Sequence, residues 1–293
     1  MINTPAPGGR GRLGQFEVAR IGYGAMQLEP SAVSTDDAVA LLRHAFDLGV
    51  DHVDTASFYS DGEVNRRIGA ALAATHDDVV IASKVGARSI TGGPVALAAA
   101  QRPEELRGAV EADLAQLGID RVHVVNLRRL DLGPGLTAEG DQIVDLDDQL
   151  AEMIALRDEG KIGEIGISGV PEDVLRRAMP AGIVCVQNAY SLLDRSQEVM
   201  LDLCAAEDIA WVPFMPLGSS FPGFPKVAKD PTVIQISEEI GCTPSQVGLA
   251  WLLAHSSNTL LIAGTRSVGH LEENLAAGKV LLTPDALARL DAA

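Results

Sequence analysis

RIGYGAMQL, residues 20–28, decides between two folds. A short apolar run closed by Gly22 and Gly24 resembles the opening of a dinucleotide-binding βαβ unit. That unit needs a third glycine, in G-x-G-x-x-G, at the start of a helix that receives a pyrophosphate. Position 27 is Gln27, so the fingerprint fails and a doubly wound dinucleotide fold is disfavoured.

Outward from this stretch, short apolar runs alternate with amphipathic ones. The runs cover 19–26, 52–56, 79–86, 122–129, 164–170, 183–190, 209–218 and 259–266. Several are β-branched at consecutive positions, as in strands buried on both faces. Between them lie helix patterns with recognisable ends. In STDDAVALLRHAFDLG, Ser34 is an N-cap, acidic residues fill the first turn and Gly49 is a stop. In RPEELRGAVEADLAQLG, Leu106, Val110, Leu114 and Leu117 share a helical face, with Pro103 at the start and Gly118 past the end. The rhythm continues at 146–160, 171–179, 196–208, 244–255 and 270–277.

Eight strand candidates, nearly all followed by a helix, predict an α/β fold: a single (β/α)8 TIM barrel, with residues 1–293 as one domain. The N-terminal residues are expected to cover one barrel end. Residues 130–140 and 219–231 read as long loops.

Composition narrows the function classes. The net charge of −17 excludes a general nucleic-acid binder, which needs a basic face. Cys185, Cys204 and Cys242 are far apart, with no CxxC and no Cys/His spacing, so neither a disulfide framework nor a metal site is expected. With no signal peptide and no membrane-length apolar run, a cytoplasmic protein is expected. Trp211 and Trp251, and His52 on the second strand, read as packing residues; Met26 and Gln27 follow the first strand.

Barrel chemistry sits at the C-terminal ends of the strands. There the sequence places Asp54 with Tyr59 five residues on, Lys84, Arg128 and Arg129, Ser168, Gln187 and Asn188, Phe214, and Thr265 to Ser267. A lysine inside an apolar strand needs a partner, and Asp54 on the neighbouring strand is the natural one. The cation so held favours the ionised form of Tyr59, which suits the transfer of a proton to a carbonyl oxygen as hydride arrives at carbon. Of the two arginines, Arg129 is expected to turn outward and meet Asp131.

With these residues in place, the sequence resembles the aldo-keto reductases, from about residue 20 to residue 274. The resemblance rests on HVDTASFY (52–59), IASKVG (81–86), LRDEGKIGEIGISGV (156–170) and LLIAGTRSVGHLEEN (260–274). It implies a (β/α)8 barrel, NADPH and a small-molecule aldehyde or ketone, in a monomer or weak oligomer without nucleic-acid or membrane partners. Tyr59 would be the proton donor, Lys84 its activator and Asp54 the partner of Lys84. Ser168 and Gln187 would hold the nicotinamide carboxamide. Phe214 would stack on the ring, with Pro216, Leu217 and Gly218 continuing the cofactor segment. Gly264, Thr265, Arg266, Ser267, His270, Glu273 and Asn274 fall where the family binds the adenosine end, and Arg266 suits the 2′-phosphate because a guanidinium matches its geometry.

Two positions depart from the family pattern. Gly169 stands where Asn commonly follows Ser168, which puts one carboxamide contact in doubt. Arg128 stands at the strand-four position usually held by a catalytic His. GYGAMQL, VVNLR, IVCVQNAY, VPFMPLG and LAWLL further resemble bacterial pyridoxal reductases, a subgroup that also has Arg there. The resemblance thus implies reduction of pyridoxal to pyridoxine, with Arg128 orienting an electron-rich carbonyl. A reductase of another carbonyl, such as a keto sugar or aromatic aldehyde, and a weakly active NADPH-binding redox sensor stay open as alternatives.

Overall fold

The computed structural model describes residues 6–73, 78–90, 97–132, 136–218 and 225–293. Residues 133–135 and 219–224 of the two expected loops therefore lie outside the described residues. The chain starts with an antiparallel hairpin, β1 (Arg10–Leu13) and β2 (Phe16–Ala19), followed by β3 (Tyr23–Gly24), α1 (Thr35–Asp47), β4 (His52–Asp54), α2 (Glu63–Leu72) and β5 (Val80–Val85). A second hairpin, β6 (Ala87–Ser89) with β7 (Leu97–Ala99), leads to α3 (Pro103–Leu117), β8 (Val122–Arg128), α4 (Leu146–Asp158), β9 (Ile162–Ser168) and α5 (Glu172–Ala178). Then come β10 (Ile183–Gln187), α6 (Glu198–Ala206), β11 (Ala210–Trp211), α7 (Pro231–Ile240), α8 (Pro244–His255), α9 (Val268–Ala276) and α10 (Pro284–Asp291).

Seven of the eight apolar runs pair in one parallel sheet, in the order β11-β10-β9-β8-β5-β4-β3. The eighth run forms no continuous strand but closes the curl. Leu260 N donates to Trp211 O at 2.8 Å, Leu261 N to Arg20 O at 2.7 Å, and Gly22 N to Leu261 O at 2.8 Å. The barrel is the (β/α)8 fold read from the sequence, with its seam at 259–262.

Gly22 and Gly24 make that seam possible. A Cβ on Gly24 would stand 2.4 Å from Ile262 O, and one on Gly264 would stand 2.4 Å from Gly24 O. A Cβ on Gly22 would enter the His52 ring. The pair thus serves close backbone approach in a barrel wall rather than a phosphate.

The barrel's lower interior is filled by Val80, Ala82, Val124, Cys185, Ala210, Val212 and Leu260, and Leu13 and Val18 of the N-terminal hairpin pack into the same cluster. The hairpin therefore plugs the N-terminal end, as expected of the leading residues. His52 is buried with neither ring nitrogen partnered. Burial lowers its pKa to about 4, so it is a neutral packing residue at neutral pH. Trp211 and Trp251 are fully buried in the core.

The helices end where their sequences direct. Ser34 caps α1 by accepting from Asp37 N, and Gly118 ends α3 in the left-handed conformation. The sequence reading did not single out α2, α7 and α10. In α2 the apolar stripe is interrupted by Asn65 and Arg67, both fully buried. Arg67 Nη1 donates to the carbonyls of Leu28 (2.9 Å) and Val33 (3.0 Å), an arrangement invisible to hydrophobic periodicity. No helix among the described residues is long and apolar enough to cross a membrane.

Gly24→Ala is expected to destabilise the protein by about 1–3 kcal/mol, because the obstructing atom is a backbone carbonyl that cannot rotate away. Urea unfolding measures this; an unchanged midpoint would mean that the seam can open without cost.

Candidate active site

Parallel register brings the strand ends together. Asp54 lies opposite Ala82 of β5, Lys84 opposite Asn126 of β8, Arg128 opposite Ser168 of β9, and Gln187 opposite Ser168 from the other side. Strand side chains alternate between faces, so residues two apart on one strand share the barrel interior.

Lys84 is buried, and its ammonium has three acceptors: Asp54 Oδ2 at 2.6 Å, Thr55 O at 2.9 Å and the Tyr59 hydroxyl at 3.0 Å. An ammonium has three protons, so the group is saturated. Burial alone would lower the Lys84 pKa, but the Asp54 charge, with Tyr59 and the hydrogen bonds to both, raises it overall. Lys84 is therefore held as a cation. The Tyr59 oxygen accepts one of its protons, which leaves the phenol's own proton directed away from Lys84. The Tyr59 ring meets Phe58 edge-on at 5.3 Å. The chain leaves Tyr59 through three successive left-handed residues, Ser60 (φ 51°), Asp61 (φ 54°) and Gly62 (φ 77°), and enters α2. A left-handed conformation costs a non-glycine residue roughly 1 kcal/mol, so this turn is held by its surroundings.

The second oxygen of Asp54, Oδ1, accepts from Gln187 Nε2 at 2.8 Å. A carboxylate only accepts, so the amide nitrogen of Gln187 must face it. Gln187 Oε1 is then left buried with no partner among the described residues. An amide N–H arriving from a ligand would satisfy it.

The two arginines at the end of β8 differ. Arg129 donates to both oxygens of Asp131 (2.6 and 3.2 Å) and to Gln149 Oε1 (2.6 Å), so it turns outward as expected. Arg128 has no hydrogen-bond or ion-pair partner for its guanidinium among the described residues. It is half-buried, with Cζ 5.8 Å from the Phe58 ring centroid. Burial lowers its pKa and Tyr59 opposes this, but an arginine stays charged. Its backbone is fixed by Gln101, whose Nε2 donates to Arg128 O at 2.9 Å and to Gly86 O at 2.6 Å; Gln149 in turn donates to Gln101. Sequence reasoning missed Phe58, Gln101 and Gln149, since single polar residues distant in sequence carry no spacing signal.

The expected cofactor residues lie along the other side of the mouth. Ser168 is buried at the end of β9. Gly169 is left-handed (φ 67°), and its N–H donates to Asn188 Oδ1 at 2.8 Å. Asn188 is thus occupied with the backbone there, accepting also from Val170 N and donating to Val170 O. Phe214 is half-buried and bridges Ala189. Met215 (φ 57°) turns the chain into Pro216, Leu217 and Gly218, and Gly218 itself is left-handed (φ 86°). Gly264 lies at the barrel seam. Thr265 Oγ1 accepts from Ser267 N at 3.1 Å, and Ser267 caps α9. Arg266 and His270 are exposed beside that helix start, and Asn274 is half-buried. Glu273 is engaged elsewhere: it accepts from Thr243 Oγ1 at 2.6 Å and joins α9 to the start of α8.

A cleft of about 590 Å³ on the rim, lined by residues such as Arg88, Arg102, Thr137 and Gln142, contains none of these strand-end residues. The convergence of polar groups, rather than that concavity, marks the site.

Comparison with known proteins shows the family. The model of the Aldo/keto reductase family matches residues 20–293. This chain belongs to the aldo/keto reductase family. It is 41% identical over 286 residues to pyridoxine 4-dehydrogenase of Escherichia coli (strain K12), an alignment covering 95% of this chain and 96% of that protein. Among solved structures, the thermostable aldo-keto reductase Tm1743, in complex with the inhibitor epalrestat, superposes with a TM-score of 0.80 at 26% identity, covering 97% of this chain and 98% of that one. An aldo/keto reductase from Klebsiella pneumoniae, in complex with NADP and acetate, gives 0.79 at 26% identity, covering 97% and 94%. The chain is accordingly an oxidoreductase of the C=O/CH–OH pair.

Lys84→Met leaves Asp54 buried beside an apolar chain and is expected to cost about 3–5 kcal/mol of stability. Adding Asp54→Asn should recover part of that loss. Thermal unfolding of the two single variants and the double variant checks this; additive losses would mean that the pair is not energetically coupled.

Proposed function

We propose that the protein reduces the aldehyde of pyridoxal to pyridoxine with NADPH, with Tyr59 as the proton donor. The observation that carries the chemistry is the saturated Lys84: its cation faces the Tyr59 oxygen and stabilises the phenolate left when the proton is given up. Asp54 keeps Lys84 charged and in place.

The residues present suit the cofactor. Gln187 Oε1 is a buried acceptor lacking a donor, which the nicotinamide carboxamide N–H would supply. Phe214 offers a half-open aromatic face, and Arg266 is an exposed cation by the start of α9, suited to a 2′-phosphate. Bound NADPH supplies the hydride for the carbonyl carbon. Tyr59 gives its proton to the carbonyl oxygen, so aldehyde, NADPH and a proton become alcohol and NADP⁺.

Arg128 favours pyridoxal over a generic aldehyde. A cation without a partner among the described residues, beside Tyr59 and an aromatic ring, suits a planar substrate with an ionisable hydroxyl next to its carbonyl. An arginine cannot act as the neutral hydrogen-bonding group that a histidine provides, so its contribution is charge and orientation.

Tyr59→Phe is expected to abolish NADPH oxidation with pyridoxal while NADPH binding, followed by protein fluorescence, is kept; undiminished turnover would overturn the proton-donor role. Arg128→His should lower kcat/KM for pyridoxal about tenfold or more relative to an uncharged aromatic aldehyde, the worth of one charge-assisted contact. An unchanged ratio would remove Arg128 from substrate recognition. Arg266→Ala should weaken NADPH far more than NADH, and equal weakening would separate Arg266 from the 2′-phosphate.

A further inference from the structure

Behind the strand ends, outside the barrel wall, α3 carries a fully buried carboxyl group, Asp113. No basic side chain pairs with it among the described residues. Its Oδ1 accepts from Asn65 Nδ2 at 2.7 Å. Asn65 Oδ1 in turn accepts from the Thr55 hydroxyl at 2.7 Å, and Asn65 Nδ2 also reaches Gln116 Oε1 at 3.1 Å. Thr55 follows Asp54 in sequence, and its carbonyl is one of the three acceptors of Lys84.

The second oxygen, Oδ2, has no hydrogen-bond partner among the described residues, and neither has the equally buried hydroxyl of Ser83. Ser83 immediately precedes Lys84. Through Asn65 and Thr55, the carboxyl group therefore supports the residue after Asp54, whose carbonyl accepts from Lys84.

An unpaired carboxyl in an apolar wall destabilises a fold, and an apolar side chain of similar size would pack there at less cost. Burial raises the Asp113 pKa to about 7, against the opposing pull of Ser83, Asn65 and the more distant charge of Lys84. The groups acting on it come from β5 (Ser83, Lys84) and α2 (Asn65); α4 and β8, which also pack on α3, contribute no ionisable group that shifts it.

We infer that Asp113 is a positioning residue for the reduction: from behind the sheet it holds Asp54 and Lys84 in register through Asn65 and Thr55, and its charge opposes that of Lys84. The inference rests on Tyr59 being the proton donor. The sign of the electrostatic effect is fixed by the charges. A carboxylate near Lys84 steadies the cation and disfavours a second anion at Tyr59. A neutral replacement removes that negative charge, and the high-pH limb of the reduction rate is expected to move to lower pH.

The test is kcat against pH for wild type, Asp113→Asn, Asp113→Ala, Ser83→Ala and Tyr59→Phe, with pyridoxal and separately with an uncharged aromatic aldehyde. NADPH affinity is measured in parallel. Asp113→Ala is expected to lower kcat about tenfold with NADPH affinity within about twofold, because small displacements of a catalytic group are costly. The near-isosteric Asp113→Asn should recover most of that kcat, yet shift the high-pH limb downward by about half a pH unit or more. Ser83→Ala should lower kcat less than Asp113→Ala does. If Asp113→Asn gives a profile superimposable on wild type while Tyr59→Phe is inactive, the role of Asp113 is overturned and the site assignment stands. A loss of kcat in Asp113→Ala that only tracks its folded fraction by circular dichroism overturns it as well. An active Tyr59→Phe overturns the proton-donor assignment and the positioning role built on it.

Discussion

The site depends on one buried ion pair, Asp54 with Lys84 at 2.6 Å. Two charges taken out of water destabilise a protein unless the geometry is good and the remaining donors and acceptors are filled. Here they are filled: Lys84 has Thr55 O and Tyr59, and Asp54 has Gln187. The requirement that satisfies the pair also builds the site. Tyr59 is located by the last ammonium proton, and Gln187 is oriented so that its carbonyl oxygen is left without a partner among the described residues.

The pair can form only if neighbouring strands keep their register, and register depends on closing the barrel. The closing contacts are few, because 259–262 makes backbone bridges instead of a full strand. Gly24 and Gly264 allow that approach by presenting backbone to backbone. The hairpin plug of Leu13 and Val18 closes the opposite end, which leaves the C-terminal mouth as the open one. Arg128, whose guanidinium has no partner among the described residues, lies on that side; Arg129, one residue further on, spends its charge on Asp131 and Gln149.

Much of the site was legible in the sequence because strand residues of equal parity share a face. Asp54, Lys84, Arg128, Ser168 and Gln187 stand near the ends of apolar runs, and parallel pairing sets those ends side by side. The helix α2 was not legible, since its inner face carries Asn65 and Arg67, whose burial is offset by partners far away in sequence. The same holds for Gln101, which holds the Arg128 carbonyl, and for Asp113, an acidic residue on a helix that reads as surface until the fold surrounds it.

The sequence by itself determined the alternation of strands and helices, the ends of the main helices, and the positions of the charged residues within the apolar runs. These are local properties: burial on two faces selects consecutive apolar residues, and caps and glycines stop helices wherever they occur. The pairs Asp54–Lys84 and Arg129–Asp131 were legible there too; only the tertiary structure decided which further groups hold those charges and which carboxyl is enclosed without a cation. Arg128 and Arg129 are chemically identical and adjacent, and Asp54 and Asp113 are both fully enclosed carboxyl groups. What separates Arg128 from Arg129, and an ion-paired Asp54 from an unpaired Asp113, is the company that strand register and helix packing bring within hydrogen-bonding distance. Asp131 lies two residues from Arg129 and is legible in the sequence, but Gln149, Asn65 and Gln187 are not, because chain closure over 20, 48 and 133 residues brings them to Arg129, Asp113 and Asp54.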